Sequence, residues 1–374
     1  MSVALKKTTF EGISTAELTQ QIASKKKCAT KLPTYYRTPK IYYPHPLQLA
    51  QTSSEITAHY KASLVRGKSL LDLSGGLGVD SYYFAKKVGC VWHCEIDEIL
   101  SQIAHYNFVQ LGADNIRTYT GNGLDFLKQT KEKFDWIYID PSRRNEQKNR
   151  VFMLADCTPN ILEHLDSIFE KTACILVKTA PLLDLSQGIS ELRFVSCIHV
   201  VAVQNDVKEL LWILKKDASA SVRIKTINHT STEVSTFDFL RSDEFVAVPD
   251  FALPMQFLYE PNAAILKSGA FKTIGVHFHL KKLHEHSHLY TADHQISFPG
   301  RVFHIREVIP YSKKNLLKFK GKQAHITVRN FPESVAVLRK KLSISDGGTT
   351  YLFFTKNCEG KRIVLVCSKT KVQD

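Results

Sequence analysis

The chain has 374 residues, more than one ordinary hydrophobic core holds, so we expect two or three domains. Its hydrophobic content of 44% is ordinary for a globular protein, and no apolar run approaches the ~20 residues that a membrane-spanning helix needs. The net charge of +14 excludes a generic neutral surface and favours a polyanionic partner. Because the N-terminus lacks the apolar segment of a secretory signal, we expect a cytoplasmic protein without a membrane partner.

The positive charge is concentrated at the two ends of the chain. Residues 1–65 carry nine Lys and Arg against three Asp and Glu, and residues 218–374 carry 23 against 13. Residues 66–217 are nearly neutral, with 18 against 20. Basic flanks around a neutral centre indicate that the flanks bind a polyanionic substrate, although a surface kept basic for solubility is the alternative.

Residues 1–65 read as an N-terminal helical segment. Ser14 and Glu17 form a capping-box pattern that predicts a helix running into Lys25–Lys27. The prolines between residues 33 and 46 are expected to break any helix. A second capping box at Thr52–Glu55 predicts a helix that ends near Val65.

A glycine-rich turn follows the first predicted strand. The run Leu70-Leu71-Asp72-Leu73-Ser74-Gly75-Gly76-Leu77-Gly78 is an apolar strand that ends in an acid and a glycine cluster, and a helical pattern follows at once. This order predicts a helix N-terminus that opens above a ligand. The glycine spacing does not fit the dinucleotide fingerprint G-x-G-x-x-G. A second strand ends in Glu95-Ile96-Asp97, where an acid can hold ribose hydroxyls.

Two further motifs continue the pattern. Gly121-Asn122-Gly123 follows a third strand, and Phe134–Ile139 is a fourth strand that leads into Asp140-Pro141. With these four motifs in order, residues 66–217 resemble the class I S-adenosylmethionine (SAM) dependent methyltransferases, although Ser74 stands where that family commonly has its first glycine. The resemblance implies SAM as the cofactor, with S-adenosylhomocysteine as the product. It implies a cofactor-binding set of Asp72, Ser74, Gly75, Gly76, Gly78, Glu95, Ile96, Asn122, Gly123 and Asp140.

Strands and helices alternate through residues 66–217, which predicts an α/β domain with a doubly wound sheet. Strands are expected near 69–73, 90–96, 116–119, 134–139, 173–178, 195–203 and 209–215. The short Asn205-Asp206 turn makes the last two a hairpin, so the final strand runs antiparallel. The expected fold is therefore the Rossmann-like, seven-stranded methyltransferase sheet.

The candidate catalytic residues, expected to lie beside the methyl acceptor, are Asp140, Pro141, Lys178 and Glu209. Enzymes that methylate amino groups of nucleic acids often have an aromatic residue after the Asp-Pro pair. This chain has Arg143 and Arg144 instead, which would suit a phosphate. Lys178 ends the fifth strand and Glu209 opens the seventh, so both should meet Asp140. These three look like part of the Lys-Asp-Lys-Glu set of ribose 2′-O-methyltransferases, in which Lys178 could take a proton from a hydroxyl. Lys61 is a poor match for the first lysine because it is too near the glycine strand, and a structural ion pair is the alternative.

The remaining residues read as two modules. Residues 218–299 form a strand-rich connecting module, in which the block from Leu258 resembles a small ferredoxin-like insert. Residues 300–374 read as a basic α+β domain that resembles the THUMP-like domain attached to a family of bacterial methyltransferases. That resemblance implies contacts with RNA, and the candidate cations for them are Lys313, Lys314, Lys318, Lys320, Arg339 and Lys340.

The histidine-rich segment Val276–His288 offers a weak alternative. His277 and His279 are predicted on one strand face and His286 and His288 on another, where two pairs across a hairpin could bind zinc. A solvated basic hairpin is the commoner outcome, and the eight cysteines include no C-x-x-C pair. We therefore expect no metal.

The sequence as a whole predicts a SAM-dependent methyltransferase that acts on structured RNA, such as rRNA or tRNA, with no obligate protein partner. One alternative is a protein that binds SAM and RNA without catalysis. Another is a methyltransferase of a small molecule or a protein. Neither the acceptor atom, an amine or a hydroxyl, nor the oligomeric state follows from the sequence.

Overall fold

The computed structural model describes residues 12–141, 154–157, 159–218 and 221–370. The chain divides into two units, the first within residues 1–201 and 208–220 and the second within 202–207 and 221–374. No helix in the described part of the chain is both long and apolar enough to cross a membrane.

The first unit begins with four helices: α1 (Thr15–Lys31), α2 (Pro33–Arg37), α3 (Pro46–Gln51) and α4 (Glu55–Ser63). Ser14 caps α1 as expected, because its side chain accepts a hydrogen bond from the Glu17 N–H. The expectation that the prolines break every helix was wrong. Pro33 and Pro46 each start a helix, where a missing N–H costs no hydrogen bond. The cap of α4 is Ser54 rather than Thr52.

A doubly wound sheet forms the rest of the first unit. Its strands in this unit are β1 (Gly67–Asp72), β2 (Val88–Glu95), β3 (Ile116–Thr120), β4 (Trp136–Ile139), β5 (Cys174–Thr179), β6 (Val195–Val203) and β7 (Asp206–Lys215). They lie in the order β3-β2-β1-β4-β5-β7-β6 and are seven of the nine strands of the sheet, so the expected count of seven strands is too low. β5 pairs with β7 antiparallel, as the sequence predicts. The helices between them are α5 (Val79–Ala85), α6 (Glu98–Gln110), α7 (Gly123–Gln129), α8 (Ile161–Phe169) and α9 (Leu185–Glu191).

The sheet core explains the apolar runs of the sequence. Central residues such as Leu70, Ile137 and Ile175 are completely buried because helices cover both faces of the sheet. The N-terminal helices belong to the same core, in which Leu32 and Ala58 cluster with residues of the strands.

The order of the strands places a crevice at the end of β1. This strand pairs in parallel with β2 on one side and with β4 on the other, so the chain winds in opposite directions from it. Asp72, its last residue, is in register with His93 and with Tyr138. Ligands of open α/β sheets bind at such a switch point, outside the carboxyl ends of the strands.

The second unit contains an antiparallel hairpin and a seven-stranded sheet of order β11-β12-β10-β13-β16-β15-β14. The hairpin is β8 (Arg223–His229) with β9 (Val234–Leu240), followed by α10 (Arg241–Val246). The sheet strands are β10 (Phe257–Pro261), β11 (Lys281–Lys282), β12 (Tyr290–Ala292), β13 (Gly300–Pro310), β14 (His325–Val328), β15 (Thr350–Lys356) and β16 (Arg362–Lys369). The helices are α11 (Ala263–Ser268), α12 (Thr273–His277), α13 (Lys313–Leu316) and α14 (Val335–Leu342), with a single 3₁₀ turn at Leu317–Phe319.

The predicted strand pair in the histidine-rich segment was wrong. His277 ends the short helix α12 rather than lying on a strand, because Ile274 and Phe278 are four residues apart and place apolar side chains on one helical face. His277 packs edge-on against Phe237, with 5.3 Å between the ring centres. Among the residues that the structure describes, no three His, Cys, Asp or Glu side chains come together in a way that could hold a metal ion.

Candidate active site

Asp72 holds the glycine turn at the end of β1. One carboxylate oxygen accepts a hydrogen bond from the Ser74 N–H at 3.0 Å, and the other accepts from Ser81 Oγ at 2.6 Å. The side chain thus joins the turn to helix α5. Complete burial raises the pKa of Asp72 to about 7, despite the hydrogen bonds from Ser81 and Ser74.

The glycines of the turn differ in what they make possible. A Cβ on Gly75 would lie 2.1 Å from the His93 ring, and a Cβ on Gly78 would lie 2.2 Å from the Phe108 ring. These two glycines therefore allow the turn to pack closely on the protein itself. Gly76 has a φ of +58° and no atom within 4 Å of the position of a Cβ, so it is the glycine that leaves room for a ligand.

Glu95 connects the end of β2 to this turn. Its carboxylate accepts hydrogen bonds from the Gly76 N–H at 2.7 Å and from the Asp97 N–H at 2.8 Å. Burial raises its pKa above the ordinary value, against the lowering effect of those backbone hydrogen bonds. Asp97 instead caps α6 by accepting from the Leu100 N–H. Ile96, between the two acids, is 72% exposed. Glu95 is therefore the acid of this pair that lies beside the open glycine.

Asn122 and Gly123 lie at the start of α7. The Asn122 side chain caps this helix by accepting a hydrogen bond from the Leu124 N–H at 2.9 Å. A Cβ on Gly123 would lie 2.6 Å from the Leu73 carbonyl oxygen, so only glycine allows α7 to approach the end of β1. Both residues therefore lie next to the glycine turn.

Ser74 joins the glycine turn to Asp140 and Pro141. Its Oγ accepts a hydrogen bond from the Asp140 N–H at 2.6 Å, directly before the buried Pro141. The Asp140 carboxylate is partly exposed and forms an ion pair with Lys178. The serine that replaces the family's first glycine thus supplies a side chain that holds Asp140.

Lys178 is held in its charged form. Burial alone would lower the pKa of Lys178, but the carboxylates of Asp140, Glu209 and Asp80 raise it above its ordinary value. A lysine in this state donates hydrogen bonds and has no lone pair for a proton. The arrangement therefore favours a positioning role toward Asp140 over the role of a general base.

Lys61 belongs to the same network, contrary to the interpretation that it lies too near the glycine strand. Its ammonium group is fully buried and lies 2.9 Å from both carboxylate oxygens of Glu209, 3.0 Å from Ser53 Oγ and 3.3 Å from Asp80. Burial raises the pKa of Glu209, and the two lysines oppose that effect. Lys61 with Glu209 and Lys178 with Asp140 thus form two ion pairs, and the charge of Glu209 acting on Lys178 connects them into one set.

A signal in the sequence marks Lys61. Thr57, Ala58, Lys61 and Ala62 are the buried residues of α4 and share one face at spacings of three and four. A lysine on an otherwise small and apolar helical face needs a carboxylate partner, because an unpaired buried charge is costly. The partner is 148 residues away in sequence, which is why the local pattern does not identify it.

The predicted substrate-binding cations lie elsewhere. Arg143 and Arg144 lie outside the described residues. The other six belong to the second unit, where Lys318 forms an ion pair with Glu307 and Arg339 forms one with Asp346. The remaining four are exposed: Lys313, Lys314, Lys320 and Lys340.

Replacing Lys61 by methionine should lower the free energy of unfolding by about 3–5 kcal/mol, because Glu209 and Asp80 would stay buried without their cation. The control is Lys68→Met, which removes an exposed lysine at the start of β1 and should change stability by less than about 0.5 kcal/mol. Urea unfolding followed by tryptophan fluorescence reports on the first unit, which contains Trp92, Trp136 and Trp212. Equal losses in the two variants would contradict the network.

The raised pKa of Asp72 predicts a pH dependence of stability. A carboxyl whose pKa rises on folding from 3.8 to about 7 stabilises the fold below its unfolded value and loses this contribution as the pH rises through about 7. The free energy of unfolding of the wild type minus that of Asp72→Asn should therefore decrease across this range. The same fluorescence titration at a series of pH values measures the difference. A difference that stays constant, or increases, would contradict the raised pKa.

Comparison with solved structures gives a match over nearly the whole chain. The crystal structure of a candidate methyltransferase from Porphyromonas gingivalis W83 is 32% identical to this chain, covers 99% of it and 94% of its own length, and superimposes with a TM-score of 0.91. No curated protein sequence matches the chain.

Two more distant structures were crystallised with S-adenosylhomocysteine. The O-methyltransferase from Bacillus cereus is 15% identical, covers 54% of this chain and 100% of its own, and has a TM-score of 0.36. TrmK from M. capricolum is 18% identical, covers 43% and 68%, and has a TM-score of 0.33. Similarities of this size carry no inference about this chain.

The C-terminal part of the chain matches two domain families. Residues 257–299 match a ferredoxin-like domain, and residues 300–369 match a THUMP-like domain. The doubly wound sheet precedes both of them, and the P. gingivalis structure matches the chain over nearly its whole length. The chain therefore belongs to the family of methyltransferases with a class I fold that carry a ferredoxin-like domain and a C-terminal THUMP-like domain.

Proposed function

We propose that this methyltransferase uses SAM as the donor and methylates RNA. The observation that carries the proposal is the hydrogen bond from the Asp140 N–H to Ser74 Oγ, which links a turn suited to SAM with the residue whose carboxylate is suited to the acceptor. Methyl transfer needs close alignment of donor and acceptor more than acid-base catalysis. A direct link between the two halves of the site supports that alignment.

The residues around Gly76 fit the proposed cofactor. The open space above Gly76 admits a ligand, the Glu95 carboxylate can accept hydrogen bonds from two ribose hydroxyls, and Ile96 offers an exposed apolar surface for a base. The other members of the proposed binding set are Asp72, Ser74, Gly75, Gly78, Asn122, Gly123 and Asp140. When bound, SAM supplies a methyl group on a positively charged sulfur, which is an electrophile.

Asp140 is the proposed catalytic residue for the acceptor. Its partly exposed carboxylate can accept a hydrogen bond from an N–H or O–H group and so orient the lone pair that attacks the methyl carbon. Lys178 holds this carboxylate from the protein side, and Pro141, the next residue, is buried. Glu209, which is paired with Lys61, acts on Lys178 through its charge.

The connected set of Lys61, Asp140, Lys178 and Glu209 favours a hydroxyl acceptor. It resembles the Lys-Asp-Lys-Glu set of ribose 2′-O-methyltransferases in residue types. A hydroxyl oxygen that gains a methyl group must lose its proton, which the Asp140 carboxylate is placed to accept. The charged Lys178 would stabilise the negative charge that develops on that oxygen. An amine acceptor remains the alternative for this site.

RNA is the proposed substrate class because of the charge distribution and the C-terminal match. The excess of positive charge lies in residues 1–65 and 218–374, outside the nearly neutral 66–217 that would carry the chemistry. The THUMP-like match of residues 300–369 supports a contact with structured RNA such as rRNA or tRNA. The proposed location is accordingly the cytoplasm.

The proposed assignment of Glu95 to the ribose predicts a difference between two neighbouring acids. Glu95→Gln should weaken SAM binding about tenfold or more, since a hydrogen bond to a charged group contributes about 1.5–3 kcal/mol. Asp97→Asn is the matched control and should change the affinity by less than about twofold, because Asp97 caps α6. Calorimetry with SAM and with S-adenosylhomocysteine measures both. Well-folded wild type that binds neither compound would exclude the proposed cofactor.

The assignment of Asp140 predicts a loss of transfer without a loss of cofactor. Asp140→Ala should reduce methyl transfer to RNA by about 10²–10⁴-fold. SAM binding should be largely retained, because Asp140 belongs to the binding set through its backbone N–H to Ser74, which alanine keeps. Asp125→Ala, which removes an exposed acid on α7, is the control and should be as active as the wild type. The assay is incubation with labelled SAM and total RNA from a deletion strain.

Mass spectrometry of the nucleosides then identifies the methylated atom. A 2′-O-methylated nucleoside would support the hydroxyl acceptor, and a methylated base nitrogen would exclude it. A wild-type protein that binds SAM and RNA but transfers no methyl group to the RNA would indicate a non-catalytic protein. RNA binding that is insensitive to salt would favour a small-molecule or protein substrate.

A further inference from the structure

A cleft of about 490 Å³ lies in the second unit, within the residues that match the THUMP-like domain. It forms where the segment after β14 faces the end of the β15–β16 hairpin. Its lining combines two cations, an aromatic ring and a side-chain amide. The lining residues are Val328, Asn330, Phe331, Pro332, Lys356 and Arg362.

The two cations face each other across the hairpin. Lys356 and Arg362 are the last residue pair in the register of β15 with β16. Like charges directly opposite each other in a sheet are unfavourable. Lys361, the residue before Arg362, forms an ion pair with Glu359. Neither Lys356 nor Arg362 forms an ion pair among the described residues. The pair is thus a concentration of positive charge without a direct ion pair among the described residues, and Glu333, a carboxylate on which the charge of Arg362 acts, is itself paired with Lys341.

Phe331 forms a fixed apolar wall of the cleft. Its ring is packed edge-on against Tyr311, with 4.9 Å between the ring centres, and against Phe354, with 5.7 Å. The side chain is nevertheless only half-buried, so part of the ring is accessible. A held, accessible aromatic ring next to two cations is the combination that binds single-stranded nucleic acids, because every base has a face that stacks.

Asn330 brings hydrogen-bonding atoms to the same cleft. Its backbone has a φ of +51°, a left-handed conformation that asparagine adopts more readily than most residues. Its amide nitrogen lies 3.1 Å from Nδ1 of His284, which orients the side chain. An oriented amide can read the edge of an unpaired base, which is hidden when the base lies in a duplex.

We propose that this cleft binds one nucleotide of single-stranded RNA. Its phosphate would lie between Lys356 and Arg362, its base against Phe331, and the edge of the base near Asn330. The cleft has the size of an ordinary small-molecule site. The proposal rests on the proposed function only in taking RNA as the polyanion. It differs from the sequence-based choice of six cations, of which Lys318 and Arg339 already have carboxylate partners.

The test is fluorescence anisotropy of the full-length protein with a short labelled oligoadenylate, titrated at several salt concentrations. Lys356→Ala and Arg362→Ala should each weaken binding about three- to tenfold and lower the magnitude of the salt slope by about 0.7, the value for one phosphate of a single strand. Phe331→Leu, which keeps an apolar contact with Tyr311 and Phe354, should weaken binding about tenfold without changing the salt slope.

The matched control is Lys322→Ala, an exposed lysine before the opposite end of β14. It removes the same charge and should leave binding within about twofold of the wild type. Equal effects of Lys322→Ala and Lys356→Ala would overturn the proposal in favour of a general surface charge. So would stronger binding of an RNA duplex or of polyglutamate than of the oligoadenylate. If Phe331→Leu does not fold, the salt slope of oligoadenylate binding by Arg362→Ala still tests the proposal, because Arg362 is exposed.

Methyl transfer by the same variants separates this proposal from the proposed function. A wild type that methylates RNA while all cleft variants bind oligoadenylate normally would overturn the cleft and leave the enzyme assignment intact. A wild type that transfers no methyl group to RNA, but whose oligoadenylate binding depends on Phe331 and Arg362, would support the cleft and overturn the enzyme assignment.

Discussion

The hydrogen bond from the Asp140 N–H to Ser74 Oγ sets the geometry on which the rest of the candidate site depends. It joins the end of β1 to the end of β4, two strands that are neighbours in the sheet but 66 residues apart in sequence. Asp72 holds the same turn through the Ser74 N–H, and Glu95 holds it through the Gly76 N–H. A change in any of these contacts would move the glycine turn relative to Asp140. Since methyl transfer depends on alignment, the site needs this rigidity more than it needs a strong acid or base.

The charge arrangement behind Asp140 explains how a cluster of carboxylates persists in a largely buried place. Asp80, Asp140 and Glu209 face Lys61 and Lys178 at the edge of the sheet. Apolar side chains of similar size would often give a fold of equal or greater stability than buried ion pairs. Stability alone is therefore a weak reason for this network. A reason in function is stronger, because Lys178 holds and orients the Asp140 carboxylate at the only part of the network that is substantially exposed.

Much of the fold follows from local patterns, and much of the site does not. Apolar runs and the short Asn205-Asp206 turn were enough to predict the seven strands and the antiparallel last one. Lys61 is a poor match in the sequence, because it is nearer to the glycine strand along the chain than the first lysine of the ribose 2′-O-methyltransferases is. Its position in space depends on how α4 packs, which is a long-range property. The three glycines also look alike in the sequence, but His93 and Phe108 require two of them and leave only Gly76 open.

Charge counts and strand register give different kinds of information about the second unit. An excess of Lys and Arg predicts a polyanionic partner, but it does not distinguish Lys318, which pairs with Glu307, from Lys356, which pairs with no described acid. The register of the hairpin makes that distinction, because it places Lys356 opposite Arg362 across a short turn closed by Asn357 and Gly360. A cleft for a single nucleotide can contribute only a modest affinity. Under the proposed function, selection of one RNA would therefore require further contacts along the chain, and the basic character of residues 1–65 offers a second place for them.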